Sequence, residues 1–106
     1  MPENSKLINA AKAYIDGHLS EDIRIETLCS ELQIGRTKLY EIFRKELNIG
    51  VSKYILKRRM HRAKKLIKTT ELSVTEISQS IGFSDYNYFS KVFKKFYGRS
   101  PKNYRK

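Results

Sequence analysis

Cysteine is almost missing. Cys29 stands alone among 106 residues, which excludes an intrachain disulfide framework. No apolar run approaches the roughly 18 residues of a membrane-spanning helix. The opening MPENSKLINA carries no signal-peptide core, so the expected setting is cytoplasmic. Chemistry-bearing residues are equally thin. His18 and His61 are isolated and share no ligand spacing with Cys29, so no metal site is expected. A Gly-rich phosphate loop, a carboxylate pair and a Ser-His-Asp set are all wanting, so neither a cofactor nor an enzyme is expected.

Acid is the other scarce commodity. Eleven Asp and Glu face 22 Lys and Arg, for a formal net charge of +11. Such an excess implies a polyanionic partner, nucleic acid first. A membrane surface would need a broad exposed apolar face beside the charge. At 106 residues the chain is one small domain, or two very small ones sharing a core. Forty per cent hydrophobic residues is too many for disorder.

What is present is helical periodicity. Val51 to Lys68 contains no Gly, Pro or acid. Val51, Ile55, Leu56, Met60, Ala63 and Leu66-Ile67 form one apolar stripe, and Lys53, Lys57, Arg58, Arg59, Arg62, Lys64, Lys65 and Lys68 lie on the other faces. It is read as a spacer helix between two similar devices. Before it, Leu7 to Leu19 is helical by pattern with Ser5 as N-cap. Ile25 to Leu32 and Arg36 to Leu47 are two short helices about the turn Gln33-Ile34-Gly35, the pattern of a helix-turn-helix. After it, Ser73-Val74-Thr75-Glu76 fits a capping box, Gly82 supplies a helix stop, and Ser84 or Asp85 caps a helix running to Phe96 or Tyr97. In that helix Phe89, Val92, Phe93 and Phe96 are expected inward. Ser100-Pro101 opens a last short turn.

The two halves repeat. Ile25, Leu28, Leu32 and Ile34 match Val74, Ile77, Ile81 and Phe83; after one extra residue, Leu39, Phe43 and Tyr54 match Phe89, Phe93 and Tyr104. The expectation is an all-α fold of about seven helices, with a first helix-turn-helix unit over 7–50, a linker helix over 51–68 and a second unit over 69–106. In each unit the second helix is the one that faces base edges in a major groove. With Leu39, Ile42 and Phe43 buried, Thr37, Tyr40, Glu41, Arg44 and Asn48 form the outer stripe, flanked by Arg36 and Lys38. With Phe89, Val92 and Phe93 buried, the outer stripe is Tyr86, Asn87, Ser90, Lys91 and Lys94. Arg suits guanine, Asn suits adenine, Glu accepts from cytosine N4, and Thr can touch a thymine methyl.

Three segments carry a family resemblance: Ile81-Gly82-Phe83-Ser84-Asp85 with Tyr88-Phe89-Ser90-Lys91-Val92-Phe93-Lys94-Lys95, then Gly98-x-Ser100-Pro101-x-x-Tyr104-Arg105, and the rod through Tyr54-Ile55, Arg59-Met60, Ala63 and Leu66. In these the chain resembles the DNA-binding domain of AraC/XylS-type transcription regulators, over nearly everything from Leu7 to Arg105. The resemblance implies a bacterial, sequence-specific double-stranded DNA-binding regulator acting at promoters, more often as activator than repressor. It implies both second helices in neighbouring major grooves, with base-facing residues at Arg36, Thr37, Tyr40 and Glu41, and at Tyr86, Asn87, Ser90 and Lys91. RNA polymerase is a further partner it admits. The domain itself is expected to be monomeric, either standing alone or as the C-terminal part of a longer chain with a sensing or dimerisation domain, the latter favoured. The rival is a basic helical module that binds nucleic acid without sequence preference, or contacts RNA polymerase alone. Four departures stand out: Gly35 replaces the usual Ser, Glu41 the frequent Arg, Cys29 and Ser78 the usual Ala, and Asn48-Ile49-Gly50-Val51 the Gly-x-Ser-Pro ending.

Overall fold

The computed structural model describes residues 2–105, and over them the chain is all helix: α1 (Pro2–Gly17), α2 (Ile25–Leu32), α3 (Arg36–Leu47), α4 (Val51–Thr69), α5 (Val74–Ser80), α6 (Tyr86–Tyr97) and α7 (Pro101–Arg105). The chain divides into two compact units, Met1–Leu56 and Lys57–Lys106. The division falls inside α4, so that helix contributes Val51 and Ile55 to the core of the first unit.

In the first unit α1, α2 and α3 pack around Ile8, Ala11, Ile15, Leu28, Leu39, Ile42 and Phe43. Two boundaries differ from expectation. The first helix starts at Pro2, so Ser5 lies within it on an exposed face and caps nothing. Asn4 is buried at 7 % exposure. At the other end α1 stops at Gly17. His18 then stacks on Tyr14 at 3.9 Å between ring centroids and donates its Nδ1 proton to the Tyr14 carbonyl at 2.7 Å. A carbonyl only accepts, so the contact fixes the tautomer and gives this histidine a structural role.

In the second unit the buried side chains are Met60, Ala63, Ile67, Ile77, Ile81, Phe83, Phe89 and Phe93. Phe96, expected inward, is instead 38 % exposed. Tyr97, one full turn beyond Phe93, takes the inner face, with its ring 4.8 Å from Phe93 and 5.9 Å from Tyr104. The i, i+4 relation wins over side-chain hydrophobicity here, because a helix can present only one stripe to one core.

The repeat is visible bond by bond. The N–H of Ile34 donates to the Cys29 carbonyl at 3.1 Å, and that of Phe83 to Ser78 at 3.0 Å. Likewise Asn48 donates to Arg44 and Gly98 to Lys94, and Tyr54 donates to Gly50 and Tyr104 to Ser100. The ring of Tyr54 meets Phe43 edge-on at 5.6 Å, and Tyr104 meets Phe93 edge-on at 5.5 Å. Each such pair adds about 0.5–1.5 kcal/mol beyond the area it buries. Cys29 and Ser78 occupy the same place in the two units and both are buried. A small side chain is what both positions share, and Ser78 satisfies its hydroxyl by donating to the Thr75 carbonyl at 2.9 Å.

Candidate nucleic-acid interface

Each unit presents the outer face of its second helix. On α3 the fully buried Leu39, Ile42 and Phe43 leave Arg36, Thr37, Tyr40, Glu41 and Arg44 exposed and Lys38 half-buried. Asn48 is exposed too, but it lies past the helix end, in the left-handed conformation at φ 53°. On α6 the buried Phe89 and Phe93 leave Asn87, Lys91 and Lys94 exposed, while Tyr86 and Ser90 are half-buried. The ring of Tyr86 leans toward Phe89 at 6.5 Å. Tyr88, by contrast, is 56 % exposed beside Phe83. All eleven candidate residues therefore fall on these two helices, with at least part of each side chain open to solvent.

Local chemistry sets how each helix begins. At α6 the Asp85 carboxylate accepts from the N–H groups of Asn87 and Tyr88 at 2.9 and 3.3 Å. That satisfies two of the donors a helix start leaves unpaired. At α3 the N-cap is Gly35, which has no side chain to offer.

Of three ion pairs around α3, two lie at the i, i+3 and i, i+4 spacing that signals them in sequence, and one does not. Arg36 is held by the Glu26 carboxylate of α2, a partner ten residues away that only the crossing of the two helices supplies. Glu41 lies 3.8 Å from the Lys38 ammonium and 3.9 Å from that of Lys45. The pairs are exposed and each contributes only a fraction of a kcal/mol. Their effect is local neutralisation: the acid on this face is flanked by two cations, which offsets its repulsion of phosphate. An open concavity of about 470 Å³ adjoins the same face, lined by Tyr40, Arg44, Gly50, Val51, Ser52 and Lys53.

The basic face of α4 divides in its uses. In the second unit Lys64 sits 5.1 Å over the ring of Tyr97 and Lys68 4.7 Å over that of Tyr104. These are cation–π contacts within the domain. Arg105 donates to the carbonyls of Ile67 and Thr70, both at 3.3 Å, and so closes the C-terminal end of α4. The ending Tyr104-Arg105 thus has a packing role. Lys57 and Lys65 are exposed. Among the described residues no group of three or more His, Cys, Asp or Glu could hold a metal ion, and no helix is long and apolar enough to cross a membrane.

Comparison with known proteins places this geometry. The family model for a helix-turn-helix domain matches residues 28–106. The Msm operon regulatory protein of Streptococcus mutans is 40 % identical over 99 residues, 93 % of this chain and 36 % of that protein. The chain thus spans about a third of the length of the curated relatives it matches. The DNA-binding domain of AdpA, a global transcriptional factor solved in complex with a target DNA, superposes with a TM-score of 0.85 at 26 % identity, covering 92 % of this chain and 87 % of that one. A transcriptional regulator of Chromobacterium violaceum described as having an AraC-type DNA-binding domain shares the fold, with a TM-score of 0.90 at 23 % identity over 99 % of this chain and 94 % of that one. With two helix-turn-helix units, their paired turns and the matching family model, this chain belongs to the AraC-type helix-turn-helix family of transcription regulators.

Proposed function

We propose that this chain binds double-stranded DNA sequence-specifically at promoters, as the DNA-contacting part of a transcription regulator that activates. It does so by placing α3 and α6 each in a major groove. The observation that carries the reading is the repeated outer stripe: each second helix buries a Phe near its middle, Phe43 or Phe93, and turns polar, hydrogen-bonding side chains outward. Arg36, Thr37, Tyr40 and Glu41 face the bases in the first unit, with Lys38 and Arg44 at the groove edge. Tyr86, Asn87, Ser90 and Lys91 do so in the second, with Lys94 toward phosphate. The AdpA domain, whose fold this chain shares, was solved with its target DNA, which supports the choice of duplex as partner.

Selection of bound sites from a random duplex pool tests the reading. A specific reader enriches defined sequences and prefers them over random DNA by about a thousandfold or more at physiological salt. Equal binding to all duplexes favours a non-specific module. Asn87→Ala sharpens the result. It is expected to lower specific affinity by roughly 1–3 kcal/mol and to relax one base position. An unchanged preference would remove Asn87 from the base-facing set.

A further inference from the structure

The net charge of this protein is not shared between its units. Residues 1–56 carry eight Lys and Arg against eight Asp and Glu, and so are formally neutral, while residues 57–106 carry fourteen against three. The whole excess of +11 therefore lies in the second unit. The same contrast holds on the two outward helices. In α3, Arg36, Lys38, Arg44 and Lys45 share their helix with Glu41 and Glu46, whereas α6 holds Lys91, Lys94 and Lys95 and no acid. Three of the four cations of α3 are also paired: Arg36 with Glu26, and Lys38 and Lys45 with Glu41.

Resting on the DNA-binding reading above, we infer that the units divide the electrostatic work: beside its base contacts the second supplies most of the sequence-independent hold on the phosphate backbone, and the first adds base discrimination with almost no net electrostatic attraction. Phosphate contact draws affinity from released counterions, and the release scales with the number of phosphates neutralised. A cation of α3 that leaves its carboxylate for a phosphate strands that carboxylate beside the duplex, so the exchange gains little. No such exchange burdens Lys91, Lys94 and Lys95, which are exposed on a helix without acids.

The test compares salt slopes for the full chain, on a duplex from the selected pool and on a random duplex of equal length. One variant combines Lys94→Gln and Lys95→Gln; the other combines Arg36→Gln, Lys38→Gln and Lys45→Gln. Unfolding midpoints are measured alongside, so that loss of fold is seen directly. The second-unit variant is expected to lose about two units of slope, at about 0.9 per phosphate contact, on both duplexes. The first-unit variant is expected to keep its slope within about half a unit while losing preference for the selected duplex. An equal loss of slope in both variants, or none in the second-unit one, overturns the division. If instead the wild type shows no preference between the duplexes, the sequence-specific reading fails, and the slopes on random DNA still decide the division.

Discussion

The turn of the first unit passes through Gln33 at φ 57°, and that of the second through Gly82 at φ 87°. At the C-terminal end of the following helix the pattern recurs, with Asn48 at 53° against Gly98 at 80°. Helix starts differ in the same direction. Arg24 and Gly35 precede α2 and α3 with no side-chain cap, whereas Ser73 and Asp85 cap α5 and α6, the former in a reciprocal capping box with Glu76. The first unit holds L-residues in left-handed backbone and starts α2 and α3 without a side-chain cap. The second meets each of these requirements with a residue suited to it. Equal backbone hydrogen bonds in the two turns show that the fold does not need the better residues; it needs only a core that overrides the local preference. Two copies of one device thus differ in local stability and in charge while keeping one geometry.

The largest expected effect tests whether the cores are indeed equal. Phe43→Ala and Phe93→Ala each remove a fully buried ring that meets a tyrosine edge, and each should cost about 3–5 kcal/mol. Denaturant titrations that differ between the two by more than that range would break the equivalence.

The turns come next. Gly82→Ala should cost about 1–2 kcal/mol, because an L-side chain is strained at that φ. Gln33→Gly at the matching place should gain up to about 1 kcal/mol, less the extra freedom of glycine in the unfolded chain. The opposite signs are the prediction, and thermal midpoints of the two variants check it.

Helix starts should behave the same way on a smaller scale. Asp85→Ala is expected to lose about 1 kcal/mol. Gly35→Ser should gain only a few tenths, since glycine is itself a fair N-cap. A Cβ at Gly35 meets nothing within 4 Å and its φ of −86° suits any residue, so the serine enters without strain. A loss on Gly35→Ser would mean that the first unit needs the bare backbone there.

The smallest effect is one of pH. The backbone N–H of Ser73, and then its hydroxyl contact, hold the Glu76 carboxyl below its ordinary value of 4.5. A depressed carboxylate stabilises the fold at pH values above its unfolded pKa, and that contribution is lost as pH falls through the folded value. The difference in unfolding midpoint between wild type and Glu76→Gln should therefore be present at neutral pH and shrink below about pH 4.5. A difference that stays constant down to pH 3 would show that the capping box works without the charge.

Most of the helical grammar could be read from the chain because it is local. The 3.6-residue period set the buried faces of α2, α3, α4 and α5, and the caps at Ser73, Asp85, Gly98 and Ser100 involve partners within four residues. The outer stripes of α3 and α6 follow from the same period, since naming the buried face names its opposite. Elsewhere the reading slipped. Ser5 caps nothing because α1 already begins at Pro2. Phe96 lost the inner face to Tyr97 because Phe93 and Tyr104 fix the rotation of α6.

Sequence alone determined the number of helices, their repeat, the stripes that could face a duplex and the total charge, since each depends on residue identity and near neighbours. Tertiary structure decided which residues those stripes could actually spend. It joined Arg36 to Glu26 across two helices and set Lys64 and Lys68 over tyrosine rings. It bound Arg105 to carbonyls more than thirty residues earlier. By dividing the chain inside α4, it also assigned the whole positive excess to one unit. The physical reason is that pairing energies depend on distance in space, and the chain brings these groups within a few ångströms only after its helices have crossed.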